Sequence, residues 1–330
     1  MDFSQLAALA GGYLEARVVQ AAVSLGVFDA LSGKEQDSRS VAAAIKTDPG
    51  ATELLLDSLV ALGLLEKKGA LFSLNETSST YLAQESPRYF GGMILFDATL
   101  WDCWRDLDLA VRTGGPVRPP DMYQGDPRET RHFIRAMDSL VKARGDADIM
   151  TGTFDFSSTR TLLDVGPGPG TYALHLCRKY PDLRVTLFDL PATLEISKEF
   201  VKDSGLGDRV ELIAGDYRVD PIPARYQAIF LSNIIHGEGE DENDRLMAKL
   251  FPSLEPAGRI IIKDHILNDA RTGPPVGALF SMLMLLTTVK GRCYSFSEVS
   301  QWLASAGFKR IEQRPLPPPL TSSLVIGEKD

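Results

Sequence analysis

Cysteine is scarce in this 330-residue chain: Cys103, Cys177 and Cys293 stand far apart, with no CxxC spacing. An odd, scattered set builds neither a disulfide framework nor a tetrahedral zinc site, and it points to a reducing, cytoplasmic setting. Positive charge is also in deficit. With 35 Lys and Arg against 44 Asp and Glu the formal net charge is −9, so there is no basic footprint with which to release the counterions of a nucleic acid. A small molecule is the better partner. Long apolar runs are missing as well. The longest, residues 276 to 289, spans about 14 residues interrupted by Gly277 and Ser281, short of the roughly 20 that a bilayer helix needs. It reads as a buried helix. The stretch through Gln20 has no basic n-region and carries Glu15 and Arg17, so it reads as mature sequence rather than a signal peptide.

What is present is an ordinary globular composition, 44% hydrophobic and 24% charged, in a chain long enough for a large domain plus a smaller one. No repeat of fixed period occurs, and the one low-complexity patch, residues 314–320 (RPLPPPL), reads as a stiff connector between two late strands. Residues 1–100 read as helices with a hairpin. A helix begins near Ser40, another opens at Pro49-Gly50 and ends at Gly63, and Leu64 to Leu74 reads as two strands around a Lys-Gly turn. That is the outline of a winged helix, which raises DNA binding as a reading. The would-be reader helix, residues 51–62, carries Glu53 and Asp57 and neither Lys nor Arg, so phosphate would repel it. Packing against a second copy of the chain is the preferred role.

Residues 101–330 form the second expected domain, with helices at its start. From about residue 160, strands alternate with helices: Thr161 to Val165, Arg184 to Phe188, Val210 to Ala214, Ala228 to Ser232 and Arg259 to Lys263. Apolar strands in this rhythm make a doubly wound α/β fold with a parallel sheet buried on both faces. Its ligands lie beyond the carboxyl ends of the strands. There the first strand runs into Asp164-Val165-Gly166-Pro167-Gly168-Pro169-Gly170. This is DxGxGxG rather than the nucleotide-type GxGxxG, and Asp164 would repel a pyrophosphate but attract a cofactor carrying an ammonium and a sulfonium. Pro167 and Pro169 also remove two amide donors that a phosphate cradle needs. Asp189, after the second strand, reads as a ribose ligand; Asp216 and Tyr217, after the third, read as partners for the adenine amine and ring.

These motifs resemble the class I S-adenosylmethionine-dependent methyltransferases. Within them the chain is similar to the plant and bacterial small-molecule O-methyltransferases that include caffeate, acetylserotonin and antibiotic-tailoring enzymes. The resemblance runs from about residue 14 to 325 and rests on the winged-helix unit, DVGPGPG, FDLP (with Leu190), Gly215-Asp216, Ser232-Asn233-Ile234-Ile235-His236 and SAGF at 305–308. It implies S-adenosylmethionine (SAM) as cofactor, with Ser232 and Asn233 added to its contacts. It also implies a Rossmann-like sheet of order 3-2-1-4-5-7-6, and a homodimer through the N-terminal domain whose helices help wall the partner's pocket.

A phenol of pKa about 10 needs a base, and a neutral imidazole serves. Of four histidines, His132 and His175 lie in helical segments and His265 follows a strand, while His236 stands just past strand four and matches the family's general base. Asp264, ending strand five, matches the acid that orients it. The pattern then departs: the second carboxylate expected in a Gly-Gly-x-Glu-Arg-Thr segment is Cys293 here, and Gly237-Glu238 replace the usual Asp-Trp after the histidine. C- or N-methylation, or a repurposed, non-methylating site, therefore stay open beside O-methylation of an aromatic or polyketide-like molecule. Phe96, Trp101, Trp104, Phe133, Met137, Phe280, Met284 and Cys293 are the expected acceptor-pocket lining, although each is also what a core would use. The acidic run Glu238, Glu240, Asp241, Glu242 and Asp244 reads as a helix N-terminus complementing its dipole, and no metal is assigned.

Overall fold

The computed structural model describes residues 1–222 and 225–330, which divide into two compact units. Met1–Trp101 with Arg135–Ala143 make the first, and Asp102–Ile134 with Arg144–Asp330 the second. The long helix Pro127–Arg144 contributes to both.

In the first unit, helices start where the sequence offers caps. Asp37 accepts the amide of Ser40 to open Ser38–Ile45, and Asp48 accepts that of Ala51 to open Pro49–Ala61, whose proline fills the first turn. Strands β1 (Gln36–Asp37), β2 (Leu65–Lys68) and β3 (Leu71–Leu74) form a small antiparallel sheet of order β1-β3-β2. Phe28, Leu31, Leu56, Leu59 and Phe72 are sealed in its core. The first helix, Phe3–Gly11, buries nothing: Phe3, Leu6 and Leu9 are 83%, 54% and 69% exposed.

The second unit is built on β4 (Thr161–Val165), β5 (Arg184–Asp189), β6 (Val210–Ala214), β7 (Tyr226–Ser232), β8 (Leu254–Asp264), β9 (Ile266–Leu267), β10 (Tyr294–Ser295), β11 (Lys309–Pro315) and β12 (Ser323–Glu328). Its seven-stranded sheet runs β6-β5-β4-β7-β8-β12-β11, which is the expected 3-2-1-4-5-7-6. The first five strands are parallel and β12 runs antiparallel between β8 and β11. The proline-rich connector joins β11 to β12, as its stiffness suggested. On one face Leu163, Val165, Ile229, Leu231, Ile260 and Ile262 pack against Leu246, Leu250, Trp302 and Leu303. Removing one such side chain costs about 2–5 kcal/mol.

One expectation is corrected. The apolar run forms the helix Pro275–Thr287, but this helix is only partly buried: Gly277, Met284, Leu286 and Thr287 are buried, whereas Leu279, and Val289 just beyond it, are each 65% exposed. Gly277 packs closely against Leu267 and beside His265, while Leu279 on the same apolar helix stays open.

Candidate active site

The loop after β4 is shaped by backbone that side chains disfavour. Gly166 and Gly168 have φ of 66° and 56°, and a Cβ on Gly166 would sit 2.4 Å from Ile234 Cδ1. The loop is tied to the end of β5: Gly168 N–H donates to Asp189 Oδ2 at 2.9 Å and Leu190 N–H to Asp189 Oδ1 at 2.7 Å. Desolvation pushes the Asp189 carboxyl up to about 6 against the pull of those amides. Burial and the nearby Asp189 push Asp164, 2% exposed, well above the ordinary carboxyl range. Two acids crowded in low dielectric favour a cation between them.

Beyond β6, Asp216 is clasped by Arg218 through Nε and Nη2, at 2.9 and 2.8 Å, which holds its carboxyl low. Tyr217 lies beside Gly166 and donates its hydroxyl to Glu238 Oε1 at 2.8 Å. Glu238 was read only as part of an acidic run; nothing in its sequence position announces a partner 21 residues away. At the end of β7, Asn233 adopts φ 59° and its amide donates to the Lys263 carbonyl at 2.8 Å, while its side chain reaches Ser232 Oγ at 3.2 Å.

His236 occupies a short 3-10 turn, Ile235–Gly237, held from below by the fully buried Asn243, which donates to the Ile235 carbonyl at 2.8 Å. Gly291 packs onto the same turn so closely that a Cβ there would meet the His236 carbonyl at 2.4 Å. The ring sets Nδ1 2.8 Å from Asp264 Oδ1, and both side chains are almost sealed, 9% and 1% exposed. Burial alone would raise the Asp264 carboxyl, but the charge and hydrogen bond of His236, with the His265 amide at 2.7 Å, hold it below its usual value. An ionised Asp264 makes Nδ1 the donor and leaves the lone pair on Nε2. Asp264 Oδ2 is buried without a partner among the described residues. The His265 ring stays neutral, pushed down to about 4 by burial, and His175 faces Asp148 at 3.5 Å.

Of the expected pocket residues, two come to this pair. The Phe280 ring stacks edge-on to His236, centroids 4.8 Å apart. Cys293, 1% exposed, precedes the Tyr294↔Ile266 pairing of β10 with β9, so it stands opposite His265. Its amide donates to Ser281 Oγ at 3.0 Å, and burial with Asp264 nearby raises the thiol to about 12. Met284 is buried on the Pro275–Thr287 helix, Phe133 stacks on Tyr123 at 4.6 Å, and Trp104 is 37% exposed. Phe96, Trp101 and Met137 belong to the first unit. There Phe96 is buried and Trp101 donates Nε1 to Gln20 Oε1 at 2.5 Å. The acidic run pairs with cations: Glu240 with Arg292, and Glu242 with Lys290 and Arg245.

Residues 113–309 match the O-methyltransferase domain family, and residues 7–84 the O-methyltransferase dimerisation domain. The chain is an O-methyltransferase family member. The methyltransferase is 30% identical to 3-hydroxy-5-methyl-1-naphthoate 3-O-methyltransferase of Streptomyces sahachiroi, over 97% of this chain and 94% of that one. It is 32% identical to the tetracenomycin polyketide synthesis 8-O-methyl transferase TcmO of Streptomyces glaucescens, over 95% and 93%. The crystal structure of human N-acetylserotonin methyltransferase in complex with SAM superposes with a TM-score of 0.91 at 26% identity, covering 100% of this chain and 98% of that one. The methyltransferase is accordingly SAM-dependent. Its loop fits that cofactor: the glycine cradle admits close approach, and the raised Asp164 and Asp189 suit a ligand that brings positive charge.

Proposed function

We propose that this methyltransferase acts on a hydroxyl of an aromatic or polyketide-like small molecule, with His236 as general base and Asp264 orienting it. The observation that carries the reading is the 2.8 Å contact of a buried imidazole with a buried, ionised carboxylate. When bound, SAM supplies an electrophilic methyl group on a sulfonium. His236 Nε2 takes the hydroxyl proton as the oxygen is methylated, and Asp264 stabilises the imidazolium so formed. Phe280 shields the ring edge from water. Asp164, Gly166 and Gly168 hold the amino-acid end of the cofactor, Asp189 and Leu190 its ribose, and Asp216 and Tyr217 its adenine. Ser232 and Asn233 border the same crevice. Trp104, Phe133, Met284 and Cys293 line the acceptor side with Phe280. The names of the naphthoate and tetracenomycin enzymes favour a fused aromatic acceptor.

Residues 1–100 serve as the dimerisation domain and 101–330 as the catalytic domain. The exposed apolar Phe3, Leu6 and Leu9 support a homodimer, which sedimentation mass reads directly. Among the described residues no helix is long and apolar enough to cross a membrane, and the three free cysteines support a reducing, cytoplasmic setting. Labelled SAM offered with a panel of hydroxylated aromatics tests the whole reading. Label is expected on oxygen, with a loss of about 10²-fold or more in His236→Ala; an unchanged rate in that variant rejects the base, and label on carbon or nitrogen rejects the acceptor group.

A further inference from the structure

A second imidazole stands beside the His236–Asp264 pair. His265 follows β8 directly, and its side chain is partly exposed. One phenyl ring touches both imidazoles: the Phe280 centroid is 4.8 Å from that of His236 and 5.1 Å from that of His265. The helix carrying Phe280 is held close here, since a Cβ on Gly277 would meet Leu267 Cδ2 at 2.8 Å and His265 Cβ at 3.5 Å.

The fold makes little use of this ring. The His265 amide donates to Asp264 Oδ1 at 2.7 Å, yet the ring that meets the Asp264 carboxylate is that of His236. Lys263, 1% exposed on the opposite face of the strand, is taken up by Asp146 at 3.6 Å. Among the described residues the His265 ring has one hydrogen-bond partner, the exposed Thr321 hydroxyl, 3.5 Å from Nδ1, and Nε2 has none. Burial, together with His236, Lys263 and Arg144, outweighs the pull of Asp264, so the ring is neutral and offers one N–H and one lone pair. A polar ring short of partners in a half-buried place costs stability that an apolar side chain would not. Its position says what would complete its bonding. With His236 Nε2 facing the acceptor hydroxyl, a ring that shares Phe280 with His236 borders the acceptor rather than the loop after β4.

We propose that His265 determines specificity by hydrogen-bonding a second oxygen of the acceptor, so that the preferred acceptors are aromatic ring systems carrying a further hydroxyl or carbonyl besides the hydroxyl that is methylated. Thr321 steadies the ring at Nδ1 and leaves Nε2 to the ligand. Because the Thr321 hydroxyl either donates or accepts, Nε2 is available in either role, which suits a hydroxyl and a carbonyl alike. The inference rests on the proposed O-methylation of an aromatic acceptor.

Acceptor affinity in the presence of S-adenosylhomocysteine tests it, with 2-naphthol as the one-oxygen probe and the full sets of dihydroxynaphthalenes and hydroxytetralones as two-oxygen probes. At least one isomer should bind about tenfold tighter than 2-naphthol. His265→Phe keeps a ring of similar shape and should bring that ratio near one; His265→Gln should restore part of it, and Thr321→Val should lower it by a smaller factor. S-adenosylhomocysteine affinity checks the folding of each variant. A wild-type panel in which no isomer is favoured, or none binds, overturns the inference. So does a preference that survives His265→Phe, or an equal loss of 2-naphthol and the favoured isomer in both His265 variants. Labelled SAM with the favoured isomer keeps the two readings apart: an unchanged rate in His236→Ala, or label on carbon, rejects the proposed chemistry while the affinity ratio and its loss in His265→Phe stand.

Discussion

Asp164 and Asp264 both lie near the carboxyl ends of parallel strands in one sheet, and solvent reaches only 2% and 1% of them. Their chemistry is opposite. Asp164 is pushed up by burial and by Asp189, whereas at Asp264 the effect of burial is outweighed by His236 and His265 and the carboxyl is held down. Residue type and burial are alike, but the alternation of side chains turns the two carboxyls to opposite faces of the sheet, where they meet different charges. Asp264 has His236 and His265 beside it, whereas Asp164 has the like charge of Asp189. On the proposed reading the first environment keeps a carboxylate ionised against His236, and the second prepares a carboxyl for a positively charged cofactor.

Asparagine at each position should break the comparison in opposite senses. The largest effect is expected from Asp264→Asn, which removes the charge opposite His236: kcat should fall about 10²- to 10⁴-fold with little change in S-adenosylhomocysteine affinity. A depressed carboxyl stabilises the fold above its unfolded value and ceases to do so as pH falls through the folded value. The variant should therefore unfold more readily than wild type at neutral pH, with the gap closing in acid. Asp164→Asn should do the reverse. Its raised carboxyl retains, in the folded chain, a proton that the unfolded chain has released above about pH 4, so wild-type stability declines as pH rises through that window. The asparagine variant should gain on wild type by on the order of 1 kcal/mol, while S-adenosylhomocysteine binds about tenfold more weakly. Urea midpoints across the pH range, with calorimetry, read both signs; parallel behaviour of the two variants would contradict the comparison. The smallest effect is expected at Cys293. With its thiol raised to about 12 it stays protonated, so Cys293→Ser should change the rate by less than about threefold. A limb of the pH–rate profile that vanishes in Cys293→Ser would show the thiol titrating in the reaction.

The asymmetry also explains what could be read from the sequence. The cofactor side is local: DxGxGxG follows β4 directly, and its glycines stand where φ is positive. The places of Asp189, at the end of β5, and of Asp216 and His236, just past β6 and β7, were legible because apolar runs mark those strands. The strand order came from resemblance, and the sheet reproduces it, with the well-buried β4, β5, β7 and β8 in its interior and the more exposed β6 at one edge. Relations between distant segments were not legible. Tyr172 and Asp146 lie 26 residues apart and meet only through the packing of helices on the sheet. Lys263, next to Asp264 in the chain, shows nothing in the sequence of its burial on the other face. Asn243 beneath the His236 turn and Glu238 against Tyr217 were hidden within an acidic helix start that looked solvated. The open flank of Pro275–Thr287 went unseen because an apolar run carries no sign of which side is covered.

Proton removal by His236 is tested most directly with a series of phenols whose hydroxyl pKa values straddle the assay pH, comparing wild type with His236→Ala in single turnovers. A base at this position predicts a loss of about 10²-fold or more for acceptors that arrive protonated, with the rate returning toward wild type for acceptors already ionised. A loss of the same size across the whole series would contradict it.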